Sequence, residues 1–394
     1  MINWNNYYAK RADRMQASEI REILKLLDQP DIISFAGGIP DPKFFPTKEI
    51  AEVCQRILSN PERSAVALQY AVSEGYLPLR EYLAKSMGEI GVPCTPQNIL
   101  ITNGSQQALD FLGKLLISTG DTVLVTWPTY LGALQAFNAY EPVYAKLPGL
   151  GESYTETAKP KFGYITPEFQ NPTGTTLNLE EREALLNLSD TLDMPLIEDH
   201  AYNKLRYDGA TVPPILALAI KRAGSIENTK ILYCGTFSKS IVPSLRIGWI
   251  VGGKDIIRKL VLVKQASDLH VSPFTQMIAH EIASTVMETH TAKTRKVYKE
   301  RRDAMLAALE RYMPRDVTWT KPEGGMFVWV TLPERFDSAK LLETSIERIR
   351  VAFVPGSAFF PDRSGHNTLR LNFSLNEPAQ IEEGIKRLAG LIGN

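Results

Sequence analysis

A lysine set among hydroxyl side chains is the first place where this chain could do chemistry. The stretch Thr236-Phe237-Ser238-Lys239-Ser240-Ile241-Val242-Pro243-Ser244-Leu245-Arg246 lies between two apolar runs, Ile231 to Cys234 and Ile247 to Val251. Both runs read as short buried strands, so Lys239 occupies the loop that joins them. Such a loop suits an amine nucleophile beside an anion site. The hydroxyls of Thr236, Ser238, Ser240 and Ser244 and the guanidinium of Arg246 can hold a phosphate next to the attacking nitrogen. An ordinary surface loop rich in serine and lysine reads the same way, so the elements around it must decide.

From Ile99 onward short apolar runs alternate with helix-length segments. The runs are Ile99 to Thr102, Thr122 to Thr126, Phe162 to Thr166, Met194 to Glu198, Ile231 to Cys234 and Ile247 to Val251. Most lack polar alternation, as strands buried on both faces of a mainly parallel sheet do. Before them come a short amphipathic helix with Ser18 as N-cap and Ile20, Ile23, Leu24 and Leu27 on one face, an apolar strand from Ile32 ending in Gly37-Gly38, a helix from Lys48 to Leu58, and another after Gly75 through Tyr82. The glycine pair serves as a turn or lets the backbone approach another group closely. After Pro273 a long helix, Phe274 to Met313, bent or interrupted within, leads to a segment of antiparallel style. Its runs are Val317 to Lys321, Met326 to Leu332, Val351 to Val354 and Leu369 to Phe373, with helices near Ala339 to Glu347 and from Pro378. The expected class is α/β: a large domain with a mainly parallel sheet flanked by helices, plus a smaller α+β domain formed by the C-terminal part and an N-terminal segment. We place the boundaries at 1–29 for an N-terminal arm and helix over the active site, 41–285 for the large domain, and 30–40 with 286–394 for the small one.

In such sheets ligands bind beyond the carboxyl ends of the strands. The residues there are chemically loaded. Asn103-Gly104-Ser105-Gln106 follows the first run and opens a helix whose free amides make an anion site. Trp127-Pro128-Thr129-Tyr130 brings a flat ring, and Asn171-Pro172-Thr173-Gly174 an amide donor. Asp199-His200-Ala201-Tyr202 ends a buried strand in a carboxylate that needs a cation or donor opposite it. His200 alternates away and reads as packing or solvent-facing. Singly each has a bland reading, as N-cap, core tyrosine, Asn-Pro turn or internal salt bridge. Together with Lys239 they describe a pocket for pyridoxal 5'-phosphate, whose pyridine nitrogen needs a carboxylate and whose aldehyde needs an amine.

With these motifs in this order the chain resembles the fold-type I pyridoxal-phosphate aminotransferases of classes I and II. Asn171-Pro172-Thr173-Gly174, Asp199-His200-Ala201-Tyr202, Ser238-Lys239, Arg246-Ile247-Gly248, Phe35-Ala36-Gly37-Gly38 and Asn367-Thr368-Leu369-Arg370-Leu371 carry the likeness across nearly the whole length. Gln16 to Leu24 and Ser34 to Gly38 look most like the 2-aminoadipate and kynurenine aminotransferase subgroup. The resemblance implies that Lys239 forms the Schiff base, Asp199 pairs with the pyridine nitrogen, and Tyr202 and Asn171 bond the 3-oxygen. It also implies that Gly104, Ser105, Gln106, Ser238 and Arg246 hold the phosphate with Tyr70 of a second subunit, and that Tyr130 stacks on the ring. Arg370 would grip the substrate α-carboxylate with help from Asn171 and the Gly38 backbone. Ser240 and Ser244 receive no task. The stretch Leu147 to Lys161 is short where relatives carry an additional helix, a difference expected at the surface rather than in the pocket.

The implied activity moves an amino group from an L-amino acid (2-aminoadipate, glutamate, aromatic or branched-chain) to a 2-oxo acid such as 2-oxoglutarate by a ping-pong mechanism. Arg21, on the N-terminal helix, is a candidate partner for a distal substrate carboxylate; an intrahelical surface pair is the alternative. A lyase or decarboxylase on the same fold, or a regulator that senses the cofactor, is the competing reading. Bulk properties narrow the field further. Lys plus Arg and Asp plus Glu are both 44 in 394 residues, so no global field draws the protein to nucleic acid or anionic membrane. The three cysteines, Cys54, Cys94 and Cys234, lack metal-ligand spacing and suit a reducing cytoplasm. No targeting pattern or membrane-spanning run is present. A homodimer with shared active sites is the expected assembly.

Overall fold

Runs of aliphatic and β-branched residues without polar alternation can only be buried on both faces, and here they pair side by side. The computed structural model describes residues 1–15 and 31–393. After a two-residue strand β1 (Ile33–Ser34), seven strands form the main sheet: β2 (Ile99–Asn103), β3 (Thr122–Val125), β4 (Val143–Lys146), β5 (Phe162–Ile165), β6 (Leu196–His200), β7 (Ile231–Thr236) and β8 (Ile247–Val251). Their order is β2-β8-β7-β6-β5-β3-β4. Pairings are parallel except those of β8, which runs antiparallel to both neighbours. One face packs against Leu109, Phe111, Phe137 and Leu260, the other against Leu83, Leu185, Leu216 and Ile282, so helices cover both sides.

Two registers matter for the site. Antiparallel pairing sets Asn103 opposite Ile247 and Thr102 opposite Gly248, bringing the turn after β2 against the exit of the Lys239 loop. Parallel pairing sets Asp199 beside Cys234 and His200 beside Gly235, so the Asp199 strand ends next to the loop's entry.

The C-terminal third builds a second sheet from β9 (Thr318–Trp319), β10 (Phe327–Thr331), β11 (Val351–Ala352), β12 (Val354–Pro355) and β13 (Thr368–Asn372). Four of these form an antiparallel sheet in the order β12-β13-β10-β9. The fifth, β11, pairs in parallel with β1, so the expected antiparallel style does not hold there. The run Val351 to Val354 is therefore two strands split at Phe353. A separate core of Phe35, Tyr298, Met305, Phe327, Phe353, Leu371 and Ile385 lies beneath this sheet.

The long helix is interrupted, as expected, forming two helices, Pro273–Thr285 and Met287–Tyr312, that meet at Val286. Other expectations need adjustment. The helix after Gly75 extends over Leu77–Glu89, and the helix Pro61–Leu68 was not anticipated. Edge strand β4 was also missed, because its half-exposed VYAK sequence carries no continuous apolar run. Leu147 to Lys161 contains no helix, and Tyr154 and Leu150 there border a cavity of about 370 Å³ against Leu185 and Leu188. The Ser18 helix and Arg21 lie outside the described residues.

Candidate active site

Asp199 is the penultimate residue of β6, 3% exposed. Its Oδ2 accepts the Tyr164 hydroxyl at 2.9 Å, whereas Oδ1 is buried with no hydrogen-bond partner. Burial pushes this carboxyl up to about 6 against the Tyr164 bond and the nearby His200. A buried carboxylate oxygen left open is costly unless a donor arrives. Its sequence neighbours point the other way. Glu198, fully buried, accepts the Ile215 and Leu216 amides at 2.8 Å each and so caps the helix Ile215–Ala223, which has no N-cap side chain. His200 lies 3.0 Å from Glu198 and stacks on Tyr233 at 4.4 Å, so it packs rather than facing solvent.

Lys239 sits in the loop after β7, and its Nζ donates to the Gly38 carbonyl at 2.7 Å. Burial, with added repulsion from Arg370 and Arg246, lowers its pKa to about 8. Near physiological pH such an amine is still mostly protonated, but its neutral, nucleophilic fraction is far larger than that of an ordinary lysine. No carboxylate pairs with it among the described residues.

The helix Ser105–Leu116 starts from Gly104 without a side-chain cap, so its first amides remain open to an anion. Gly104 has φ +77, and a Cβ there would lie 2.3 Å from Arg246 Nη2. Arg246 itself is exposed, and its bonds to the Pro243 and Asn103 carbonyls are long, 3.4 and 3.5 Å. Ser238 donates its amide to Thr236 Oγ1 at 3.1 Å, with its own Oγ 2.9 Å from that oxygen. Gln106 differs from expectation in one respect. Its side-chain amide donates to Gly132 at 2.6 Å, which leaves its helix-start position rather than its amide group facing an anion.

Arg370, on β13 and 1% exposed, donates to Asn171 Oδ1 at 2.7 Å and to the Ala36 carbonyl at 2.9 Å. Its Nε is buried and unpartnered, and burial lowers its pKa to about 10. The rings of Phe327 and Phe359 lie 4.2 and 5.1 Å from the guanidinium carbon. Among the described residues no carboxylate pairs with this cation, so an incoming anion would complete it. Because Asn171 Oδ1 faces Arg370, its amide nitrogen is left toward Tyr202, whose buried phenol is pushed up mainly by desolvation.

The structure thus gathers Lys239, Asp199, Asn171, Tyr202, Arg370 and Gly38 into one cluster, in which Lys239 and Gly38 are partly exposed, with Gly104, Ser105, Ser238 and Arg246 at its edge. Tyr130 lies over Gly132, where a Cβ would meet its ring at 2.4 Å, and within electrostatic reach of Tyr202 and Arg370. Tyr70 stands apart, 79% exposed and edge-on to His270 at 5.7 Å. Sequence reasoning missed Tyr164, Phe327 and Phe359. A tyrosine inside an otherwise apolar buried strand signals a phenol that needs an acceptor, and that signal was available for Tyr164.

The donor set fits pyridoxal phosphate. An open carboxylate oxygen, a neutral-prone lysine and an uncapped helix start beside an arginine meet its ring nitrogen, aldehyde and phosphate in turn. Among the described residues no helix is long and apolar enough to cross a membrane. Comparison with known proteins agrees. The family model for aminotransferase class I and II matches residues 31–388. Aromatic-amino-acid aminotransferase 1 of Thermococcus litoralis is 44% identical over 406 aligned residues, which cover 99% of this chain and 95% of that protein. The alpha-aminoadipate aminotransferase of Thermus thermophilus, solved with N-(5'-phosphopyridoxyl)-L-leucine, superposes with TM-score 0.89 at 39% identity, covering 100% of this chain and 98% of that one. The kynurenine aminotransferase of Pyrococcus horikoshii, solved in complex with PMP, gives TM-score 0.91 at 44% identity, covering 99% and 98%. The chain belongs to the class I and II aminotransferases and is a pyridoxal-phosphate-dependent transferase of amino groups.

Proposed function

We propose that this aminotransferase takes its amino group from 2-aminoadipate, glutamate, aromatic or branched-chain L-amino acids and passes it to a 2-oxo acid such as 2-oxoglutarate. Names of relatives that include aromatic-amino-acid, 2-aminoadipate and kynurenine aminotransferases support the aromatic and 2-aminoadipate part of that range. The observation that carries the residue roles is a pair of complementary orphans in one cluster, Asp199 Oδ1 and Arg370 Nε.

When bound, pyridoxal phosphate supplies an aldehyde that condenses with amines and a ring that draws electron density from the breaking Cα–H bond. Asp199 Oδ1 would accept the ring N–H and keep it protonated, because an adjacent anion favours the cation. Asn171 and Tyr202 would hold the 3-oxygen, Tyr130 would cover the ring, and the Gly104-Ser105-Gln106 turn with Ser238 and Arg246 would hold the phosphate. Arg370 grips the substrate α-carboxylate as a bidentate fork, with Asn171 and the Gly38 backbone beside it. Lys239 would hold the cofactor's aldehyde and, as a free amine, would take the proton from substrate Cα as base and give it back as acid. Product release precedes acceptor entry, giving ping-pong kinetics.

The division into an arm (1–29), a large domain (41–285) and a small domain (30–40 with 286–394) belongs to this proposal, as does a cytoplasmic homodimer. The exposed row Leu68, Tyr70 and Val72 is the surface assigned to the second copy, to whose site Tyr70 would add a hydroxyl. Arg21 is assigned to a distal substrate carboxylate.

A panel of amino donors against 2-oxoglutarate and pyruvate, followed by cofactor absorbance, tests this reading. Wild type is expected to change spectrum with donor alone and to turn over only with an acceptor. Lys239→Ala should lose the visible absorbance and the half-reaction; retention of both sinks the lysine's role. Arg21→Ala should slow acidic donors selectively, and equal losses on neutral donors would remove Arg21 from specificity.

A further inference from the structure

Among the described residues Tyr164 is the one phenol hydrogen-bonded to the Asp199 carboxylate, and no role assigned so far uses it. It lies on β5, whose register pairs Tyr164 with Ile197 and Ile165 with Glu198, so its hydroxyl reaches the end of β6 from the neighbouring strand. The ring is fully buried and packs edge-on to Phe137 at 5.8 Å. The hydroxyl donates to Asp199 Oδ2 at 2.9 Å, with Thr166 Oγ1 3.5 Å away.

We infer that Tyr164 is a positioning residue: its O–H fixes one oxygen of Asp199 so that the other, Oδ1, is turned to the cofactor's ring nitrogen as an ionised acceptor. This rests on the assignment of Asp199 as the ring-nitrogen partner. A carboxylate with two free oxygens rotates, and one desolvated on both sides holds its proton. The phenol opposes both tendencies with a charge-assisted bond. Burial and the Asp199 charge push Tyr164 itself far up, so it remains a donor at every pH of interest. The other titratable groups around Asp199 do not replace it. Cys234, its partner on β7, is a thiol pushed well up by burial, and Tyr202 is likewise held neutral. His200, next along β6, turns to Glu198.

The test compares Tyr164→Phe with wild type in two signals besides turnover. The first is the 15N resonance of ring-labelled cofactor in the holoenzyme. The second is the pH midpoint of the Asp199 carboxyl infrared band in the full chain freed of cofactor, assigned by its loss in Asp199→Asn. Tyr164→Phe should move the 15N signal toward neutral pyridine, raise the carboxyl midpoint, and weaken cofactor retention about ten- to a hundredfold, the size of a hydrogen bond to a charged group. Either signal left unmoved in Tyr164→Phe overturns the inference. A 15N signal left unmoved in Asp199→Asn overturns instead the assignment of Asp199. Should the Phe variant fail to fold, 3-fluorotyrosine placed at 164 alone keeps the ring and strengthens the donor. It must then lower the carboxyl midpoint, and no shift refutes the role.

Discussion

Asp199 and Lys239 show how burial prepares single groups for work. Burial first, then the cations Arg370 and Arg246, bring Lys239 down to about 8, whereas desolvation raises Asp199 to about 6. The carboxyl shift is also a statement about stability. Between its ordinary 3.8 and about 6 the folded chain binds the Asp199 proton more tightly than the unfolded chain, so this group's contribution to stability falls as pH rises through that window. Above it, the ionised and half-satisfied carboxylate costs the cofactor-free protein about 2–3 kcal/mol. Asp199→Asn should therefore raise the melting temperature of cofactor-free protein by a few degrees at pH 7.5 and scarcely at pH 4. An unchanged melting point at pH 7.5 would mean that the carboxylate already has a partner for Oδ1. A destabilised site of this kind is what a group reserved for a ligand looks like.

Element geometry decides how close the phosphate turn and the lysine loop come. Because β8 alone runs antiparallel within the main sheet, it carries the exit of the Lys239 loop back along β2 and delivers Arg246 to Gly104. The approach is tight. A Cβ on Gly248 would lie 2.5 Å from the Gly104 carbonyl carbon and 2.6 Å from the Ser105 nitrogen, backbone atoms with nowhere to move. Gly248→Ala should cost about 1–3 kcal/mol of stability through overpacking. It should also loosen the cofactor, as read by melting temperature and by cofactor titration. Gly88→Ala, in a helix with nothing within 4 Å of the new methyl, is the control and should be neutral or slightly stabilising. Equal behaviour of the two variants would show that the crowding is unimportant.

At the scale of the molecule the site is a seam between two sheets, drawn together by one strap. Residues 35–41 leave β1 and are tied to the C-terminal part by Asn372 N to Phe35 O (2.9 Å), Ser374 Oγ to Ile39 O (2.8 Å) and the buried Arg301–Asp41 ion pair (2.9 Å). The same strap offers Gly38 O to Lys239 and Ala36 O to Arg370. A second copy would add Tyr70, and mixing variants tests that. If Tyr70 serves the opposite site, hybrids of Lys239→Ala with Tyr70→Phe contain one site with both residues intact. They should then regain wild-type cofactor retention at half the sites. Hybrids that regain nothing beyond the Tyr70→Phe level would return Tyr70 to its own subunit.

What could be read without coordinates was whatever local chemistry enforces. The apolar runs of β2, β3, β5, β6, β7 and β8 announce strands because no other element buries both faces of so short a segment. The ordered motifs around Asn171, Asp199, Lys239 and Arg370 announce a cofactor pocket because few chemistries need those groups together. Only tertiary structure decided the rest. Strand direction and register are long-range facts, so neither the antiparallel turn of β8 nor the split of Val351 to Val354 between two sheets is written in a local pattern. Nor is the use of a neighbour: Glu198 and Asp199 are adjacent carboxylates, and alternation along β6 sends one to cap a helix and leaves the other, held by Tyr164, open to a ligand.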